Sequence, residues 1–177
     1  MALHARLATR DDLAALGALM DRAIDQLQSA YLSADQIEAS RAIMGIDRQL
    51  IDDKTYFLAE QDSRIAGCGG WSRRATLFGG DHSPAQRAPR LLDPATEPAR
   101  IRAMYTDPAF VRRGVGRLIL AQCEQTARSA GFTSAVLMAT LAGEPLYRSS
   151  GYRSVTKVVQ MVDGVGVPLI EMGKPLL

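Results

Sequence analysis

The chain has 177 residues, 47% of them apolar and 23% charged, with a net charge of +2 at neutral pH. That length and mix fit one soluble globular domain with a sizeable core. The small net charge excludes a strong global field toward nucleic acid or membrane, and no stretch approaches the ~20 apolar residues of a membrane span.

Residues 3–8 read as a short strand. Thr9 is placed to cap a helix, with Asp11 and Asp12 in its first turn, where the helix dipole favours carboxylates. Leu13, Leu16, Gly17, Met20, Ile24 and Leu27 share one helical face, a core stripe. No apolar run precedes that charged helix, so no signal peptide is read and a cytoplasmic location is expected. Residues 29–32 break the pattern. Ser33 with Gln36 then has the form of a capping box, opening a second helix to about Asp52 with Ile37, Ile43, Ile46 and Leu50 as its apolar side.

Residues 55–60 form a predicted strand, turned at residues 61–63, with residues 64–71 as hairpin partner. Gly67, Gly69 and Gly70 weaken this second strand and suit either a close approach of backbone or ligand, or a bulge. Residues 73–97 hold Gly79, Gly80, Pro84, Pro89 and Pro94 and read as one long loop. Compact domains seldom keep such a loop without a use for it. A fourth strand follows over residues 100–106.

From Met104 to Leu120 the chain reads as strand, tight basic glycine loop, helix. Gly114 and Gly116, flanked by Arg112, Arg113 and Arg117, let backbone N–H groups crowd around an anion. The helix opening there adds its unpaired N–H groups and the positive end of its dipole. Pro108 ends the strand. Such a place suits a phosphate or pyrophosphate. A P-loop would need Gly-Lys-Ser/Thr, and a dinucleotide fingerprint a third glycine where Ile119 stands. Taken alone, the loop reads equally well as an ordinary turn with solvated arginines.

The helix buries Val115, Ile119, Cys123 and Ala127 and runs to Gly131. Residues 134–140 read as a buried strand, and Pro145 shortens the helix that carries Tyr147. Residues 154–161 and 165–172 are the last strands, joined by the Asp163-Gly164 turn. The order predicts an α/β fold (α+β mixed sheet), about seven strands flanked by about four helices, in a single domain over residues 1–177. Cys68 and Cys123 sit in apolar elements and are expected as buried thiols rather than a disulfide or metal pair. His4 and His82 suggest no metal site.

This succession resembles the GNAT superfamily of acyl-CoA-dependent N-acetyltransferases. The family's Arg/Gln-x-x-Gly-x-Gly/Ala motif corresponds to Val111 through Gly116, and its Tyr four residues before Gly-Phe or Gly-Tyr corresponds to Tyr147 with Gly151-Tyr152. The motifs span about residues 101–153, and the order of elements extends the likeness to the whole chain. Val111 stands in place of Arg or Gln, and Thr140 where the family often has Asn.

The resemblance implies acetyl-CoA (coenzyme A) as co-substrate, with no metal. It implies a pyrophosphate held by Val111, Arg112, Arg113, Gly114, Val115, Gly116 and Arg117. The pantetheine arm would pair with the backbone of Met104, Tyr105 and Thr106, where the fourth and fifth strands splay apart. Tyr147 would return a proton to the leaving thiolate, as general acid. The acceptor would be a primary amine on a small molecule or peptide, and a homodimer is compatible with the likeness. Tyr31, between the first two helices, either touches substrate or packs. Glu60, Asp81, His82 and Glu144 suit a base by type alone, and in the family a water chain often serves. The long loop starts and ends on the third and fourth strands, close to the reacting centre, so it is expected either to form one wall of the acceptor pocket or to be a solvated loop or oligomer contact. Arg73, Arg74, Arg87 and Arg90 make it basic, which favours an acceptor bearing carboxylate or phosphate. Two other readings stand beside this one. One is a non-catalytic acyl-CoA-binding or sensing module of the same fold. The other is a nucleic-acid-binding domain using Arg73, Arg74, Arg87, Arg90, Arg100 and Arg102, for which no reader motif is present; neither nucleic acid nor membrane is an expected partner.

Overall fold

The computed structural model describes residues 2–83 and 88–177; Pro84 and Arg87 of the long loop lie outside the described residues. Seven strands form one sheet: β1 His4–Leu7, β2 Tyr56–Gln61, β3 Arg64–Ser72, β4 Ala99–Thr106, β5 Ser134–Ala139, β6 Arg153–Val162 and β7 Val165–Pro175. The helices are α1 Leu13–Leu27, α2 Ala34–Ser40, α3 Arg48–Asp52, α4 Val115–Ser129 and α5 Glu144–Ser149. Strand order across the sheet is β1-β2-β3-β4-β5-β7-β6. The β4–β5 pair is parallel and its neighbours are antiparallel.

Local chemistry sets the helix starts. The Asp12 carboxylate accepts the Thr9 N–H at 2.8 Å, closing a 3₁₀ turn that runs into α1. At α2, Ser33 Oγ accepts the Gln36 N–H at 3.2 Å and Gln36 Oε1 accepts the Ser33 N–H at 3.0 Å, the reciprocal box its sequence predicts. The predicted helix from Ser33 to about Asp52 is in fact two. α2 stops at Ser40, Gly45 takes φ +128°, and Asp47 caps α3 by accepting the Gln49 N–H at 3.0 Å. Apolar spacing carried the reading across a glycine and a capping aspartate, both of which interrupt helices.

Two apolar layers enclose the sheet. On one face Leu16, Leu19, Met20, Ile24 and Leu50 pack on Tyr56, Leu58, Cys68 and Tyr105. On the other, Val115, Ile119, Cys123 and Ala127 of α4 pack on Phe57, Trp71, Ile101 and Leu137. Each such side chain contributes about 1.5–3 kcal/mol by leaving water. Cys68 and Cys123 are buried free thiols, one in each layer. The β3 glycines serve this packing. A Cβ on Gly67 would lie 2.4 Å from Val115 Cγ1 and 2.8 Å from the Tyr105 carbonyl oxygen, and one on Gly69 would lie 2.8 Å from Ile119 Cγ2. Gly69 also gives room to Met104 Sδ of β4, and Gly70 to Thr55 O and Tyr56, so these glycines admit neighbouring protein atoms from α4, β4 and the start of β2.

Two features shape the sheet centre. β4 carries an extra residue: Cys68 faces Tyr105 while Gly70 faces Arg102, and Ala103 between them has φ +51°. Beside it, β4 and β5 pair at Ala99–Ala135 and Arg100–Val136, then diverge. The long loop is closed at its base, where Ala75 N–H bonds to Arg90 O at 2.9 Å and Leu92 N–H to Arg73 O at 2.7 Å. Among the described residues, no helix is long and apolar enough to cross a membrane.

Candidate functional site

The divergence of β4 from β5 opens a cavity of about 110 Å³ in the middle of the sheet. Residues 101–105 of β4 form one side; Leu137, Met138 and Thr140 form the other, with Tyr147 between them. Beyond residue 100 the inner edge of β4 has no ladder partner on this side among the described residues, an edge of the kind an extended ligand can pair with, although Ala103 O accepts the Tyr56 hydroxyl at 2.8 Å.

The glycine loop follows at the end of β4. Asp107 is buried there and holds the turn together. It accepts the Ala109 N–H at 2.9 Å, pairs with Arg22 of α1 at 2.6 Å, and donates its own N–H to Ala66 O at 2.9 Å. Burial opposes its charge, but the Arg22 guanidinium and the Ala109 N–H outweigh that and hold its carboxyl below the usual range. Arg112 (φ +60°) and Gly114 (φ +83°) then take left-handed conformations on either side of Arg113, turning successive N–H groups toward a common side. The first bond of α4 is Leu118 N–H to Gly114 O at 3.0 Å, so the N–H groups of Val115, Gly116 and Arg117 have no helical carbonyl to meet. Residues 111–114 are exposed, and a Cβ on Gly114 would meet nothing within 4 Å. Gly116 has a different role: a Cβ there would lie 2.6 Å from Leu146 Cδ2, so its absence lets α5 rest on the first turn of α4. Arg113 stacks on the Phe110 ring at 5.4 Å, with Arg64 on the same ring at 5.0 Å.

Tyr147 owes its place to how α5 begins and ends. Pro145 occupies the first turn, where no N–H is needed, and Thr140 Oγ1 accepts the Gly143 N–H at 3.1 Å just ahead. At the far end Gly151 (φ +94°) reverses the chain, with Gly151 N–H on Arg148 O at 3.2 Å and Tyr152 N–H on Tyr147 O at 3.0 Å. The reversal sets Tyr152 edge-on to Tyr147, ring centroids 6.0 Å apart at 68°. The Tyr-x-x-x-Gly-Tyr spacing is therefore a short helix with its glycine stop. Tyr147 is 8% exposed, and burial pushes its hydroxyl above the ordinary phenol value, so it is protonated at neutral pH. Tyr105 is buried as well, and its hydroxyl accepts the Gly45 N–H at 2.9 Å.

Met104, Tyr105 and Tyr147 thus meet in one cavity, with Thr106 next along β4 and the loop from Val111 to Arg117 beyond it. The base candidates lie elsewhere. Glu60 is held by Arg6 at 2.9 Å and His4 at 3.3 Å on the β1–β2 side, and Glu144 pairs with Arg148. Asp81 accepts the Arg48 N–H at 3.0 Å, and His82 Nε2 is 2.6 Å from Arg41 O. Tyr31 is half exposed and lies outside the cavity lining. The loop's charge is engaged outside the cavity: Arg74 with Asp53 at 2.8 Å, Arg90 with Glu97 at 2.8 Å, and Arg73 over the Trp71 ring at 5.2 Å. The expectation that this basic loop favours a carboxylate or phosphate on the acceptor is not met by these side chains; Arg87 falls outside the described residues.

The long loop lines the opposite side of the cavity, together with a segment the sequence reading placed inside a helix. Ile43, Met44 and Gly45 from the α2–α3 connection stand beside Leu77, Phe78 and Gly79 from the loop. Arg102 ties them together. Buried in β4, it bonds to Asp47 at 3.0 Å, to Thr76 O at 3.3 Å and to Gly79 O. An arginine so enclosed has no part in a nucleic-acid surface. Of the residues that hold the two walls, Asp47 before α3 and Asp107 before a proline carried a readable sign, each as a cap.

A model of the Acetyltransferase (GNAT) family matches residues 18–152. Among solved structures, the chain is similar to a GCN5-related N-acetyltransferase (aminotransferase, class-II) from Rhodopseudomonas palustris. The identity is 19%, the TM-score 0.73, and the match covers 99% of this chain and 96% of that one. PaiA N-acetyltransferase from Thermoplasma acidophilum, in complex with coenzyme A, is 15% identical with TM-score 0.65 over 99% of both chains. YncA from Salmonella typhimurium, with its cofactor acetyl-CoA, is 19% identical with TM-score 0.64 over 100% of this chain and 95% of that one. No curated protein matches the chain by sequence.

Proposed function

Because the chain belongs to the acetyltransferase (GNAT) family, we propose that it moves an acetyl group from acetyl-CoA to a primary amine of a small molecule or peptide. The attack is direct, Tyr147 is the general acid, and residues 1–177 act as one domain. The observation that carries this reading is the opening between β4 and β5, with a buried, protonated Tyr147 in it and an exposed glycine loop at a helix start at its end.

The residues present suit the co-substrate. The N–H groups of Val115, Gly116 and Arg117, with Arg112 and Arg113 nearby, suit its pyrophosphate. The inner edge of β4 at Met104, Tyr105 and Thr106 suits an amide-bearing arm lying as an extra strand. Backbone N–H groups near the β4 bulge suit polarisation of the thioester carbonyl. When the amine nitrogen bonds to the carbonyl carbon, the C–S bond breaks and Tyr147 O–H gives its proton to the thiolate. The amine's own proton leaves to water, since no carboxylate or imidazole lines the cavity among the described residues. Two buried thiols without a disulfide fit the reducing cytoplasm.

Two variants test this. Gly114→Glu places a side chain at φ +83° and a negative charge where the phosphate belongs. Calorimetry should show acetyl-CoA binding in the parent and none in the folded variant; equal affinity rejects the loop as the binding site. Tyr147→Phe should lower turnover about 10²–10⁴-fold with acetyl-CoA affinity little changed. Unchanged turnover, with chemistry rate-limiting, makes Tyr147 a packing residue.

A further inference from the structure

The acceptor side of the cavity has a composition that selects a chemical class. Resting on the acetyl-transfer reading above, we infer that the acceptor is a small primary amine with an apolar body, arylalkyl or branched alkyl, carrying no carboxylate, phosphate or second ammonium group.

Six side chains from four separate segments make this part of the wall: Ile43, Met44, Leu77, Phe78, Met138 and Leu169. All are apolar. No Asp, Glu or His joins them among the described residues, so nothing would balance a cationic group on the acceptor's body. The cation in the lining is Arg102, and its guanidinium is engaged with Asp47 and the carbonyls of Thr76 and Gly79. An acceptor carboxylate would have to compete with Asp47 for it inside the core. Anionic and polycationic acceptors are both disfavoured, the first by an engaged cation and the second by a lack of anions.

The same wall helps the chemistry. An ammonium must shed a proton before its nitrogen can attack. Apolar surroundings disfavour the charged form and lower an amine's pKa. A cavity that desolvates the amine supplies neutral nucleophile without a dedicated base, which accounts for a site that has none. Size bounds the body. A cavity of about 110 Å³ is smaller than the ~150 Å³ apolar cavity that takes benzene, so it holds a short branched chain whole and a single ring only in part, the rest reaching into the mouth.

The test is thiol release from acetyl-CoA with the full chain and a defined panel. Benzylamine, phenethylamine and isoamylamine form the apolar arm. Spermidine, glutamate and 2-aminoethyl phosphate form the charged arm. The apolar arm should exceed the charged arm in kcat/KM by about 10²-fold. Phe78→Ala should raise KM for benzylamine and admit naphthylmethylamine, with the Kd of acetyl-CoA unchanged. Faster transfer to any charged amine, or no transfer to the apolar three while acetyl-CoA binds, overturns the inference. An unchanged amine preference in Phe78→Ala overturns the assignment of that wall. Acetyl transfer to the charged arm alone leaves the transferase reading intact, whereas failure of the parent to bind acetyl-CoA removes both.

Discussion

The cavity has two walls made in opposite ways. The wall with the glycine loop is one continuous run, from β4 through Asp107 and Gly114 into α4. The facing wall joins the α2–α3 connection to the long loop, segments far apart in sequence, and depends on what crosses between them. Arg102 reaches Asp47 and Thr76 O, Asp81 N–H meets Ile46 O at 2.9 Å, and Ser83 O–H meets Ala42 O. The first wall is held by backbone geometry within a few residues. The second is held by long-range polar ties together with the packing of Ile43, Met44 and Phe78 against Met138 and Leu169.

Cutting the central tie should have the largest effect. Arg102→Met strands the Asp47 carboxylate in the core away from its guanidinium, at a cost of about 3–5 kcal/mol. Denaturant unfolding measures it, and adding Asp47→Asn should recover much of the loss. An unchanged midpoint would mean that the facing wall is held by something else. Next in size is a blow to the continuous wall. Gly67→Ala drives a methyl toward Val115 Cγ1 and the Tyr105 carbonyl and should cost about 1–3 kcal/mol in thermal unfolding. Since Val115 opens α4, the variant should also weaken acetyl-CoA binding, which Arg102→Met should affect less. Ser33→Ala removes the cap of α2, the helix leading into the facing wall, for about 1 kcal/mol, and acetyl-CoA affinity should not move.

The smallest effect is on pH. Glu97 accepts from Arg90 at 2.8 and 3.0 Å and from the Asp93 N–H at 2.8 Å, and these bonds lower its pKa from 4.5 to about 2. A depressed carboxylate contributes fully above its ordinary value and loses that contribution as pH falls through the depressed one. The base of the long loop should hold at pH 4.5 and loosen toward pH 2, with the Glu97 carboxyl resonance titrating near the lower value. A midpoint near 4.5 would show that the Arg90 pair does not persist in solution.

What the sequence disclosed divides along the same line. Gly114 at a helix start, Pro108 after an aspartate, and Tyr147 ahead of Gly151 are signals whose partners lie within one turn, and each could be read directly. The opening beside β4 followed from the family likeness, whereas the order of strands across the sheet, with β7 between β5 and β6, was not read from the sequence. Arg102 could not be read. In a strand it looks like any solvated arginine, and its partner Asp47 looks like any helix cap; only folding brings them together. Nor did apolar spacing show that residues 41–47 interrupt a helix, because Ile43 and Ile46 keep the period across the break. The β3 glycines were legible as close approaches or a bulge, and both occur: α4, β4 and Tyr56 crowd them, and the β3–β4 ladder shifts register between Cys68 and Gly70.

The two pairings at Ala99–Ala135 and Arg100–Val136 have a mechanical consequence. They are the hydrogen-bonded seam between a four-strand leaf, β1 to β4, and a three-strand leaf, β5 to β7, and they sit at one end of it. A seam closed only at one end is a fulcrum, and the leaves are its arms. An extended chain lying along β4 would act as a wedge with hydrogen-bonding edges, bracing the arms where they stand furthest apart. Flexing about this fulcrum widens the mouth beside Tyr147 while the core at Ala99 stays still. The arm made of β4 ends at Thr106, where the strand hands the chain to the glycine turn.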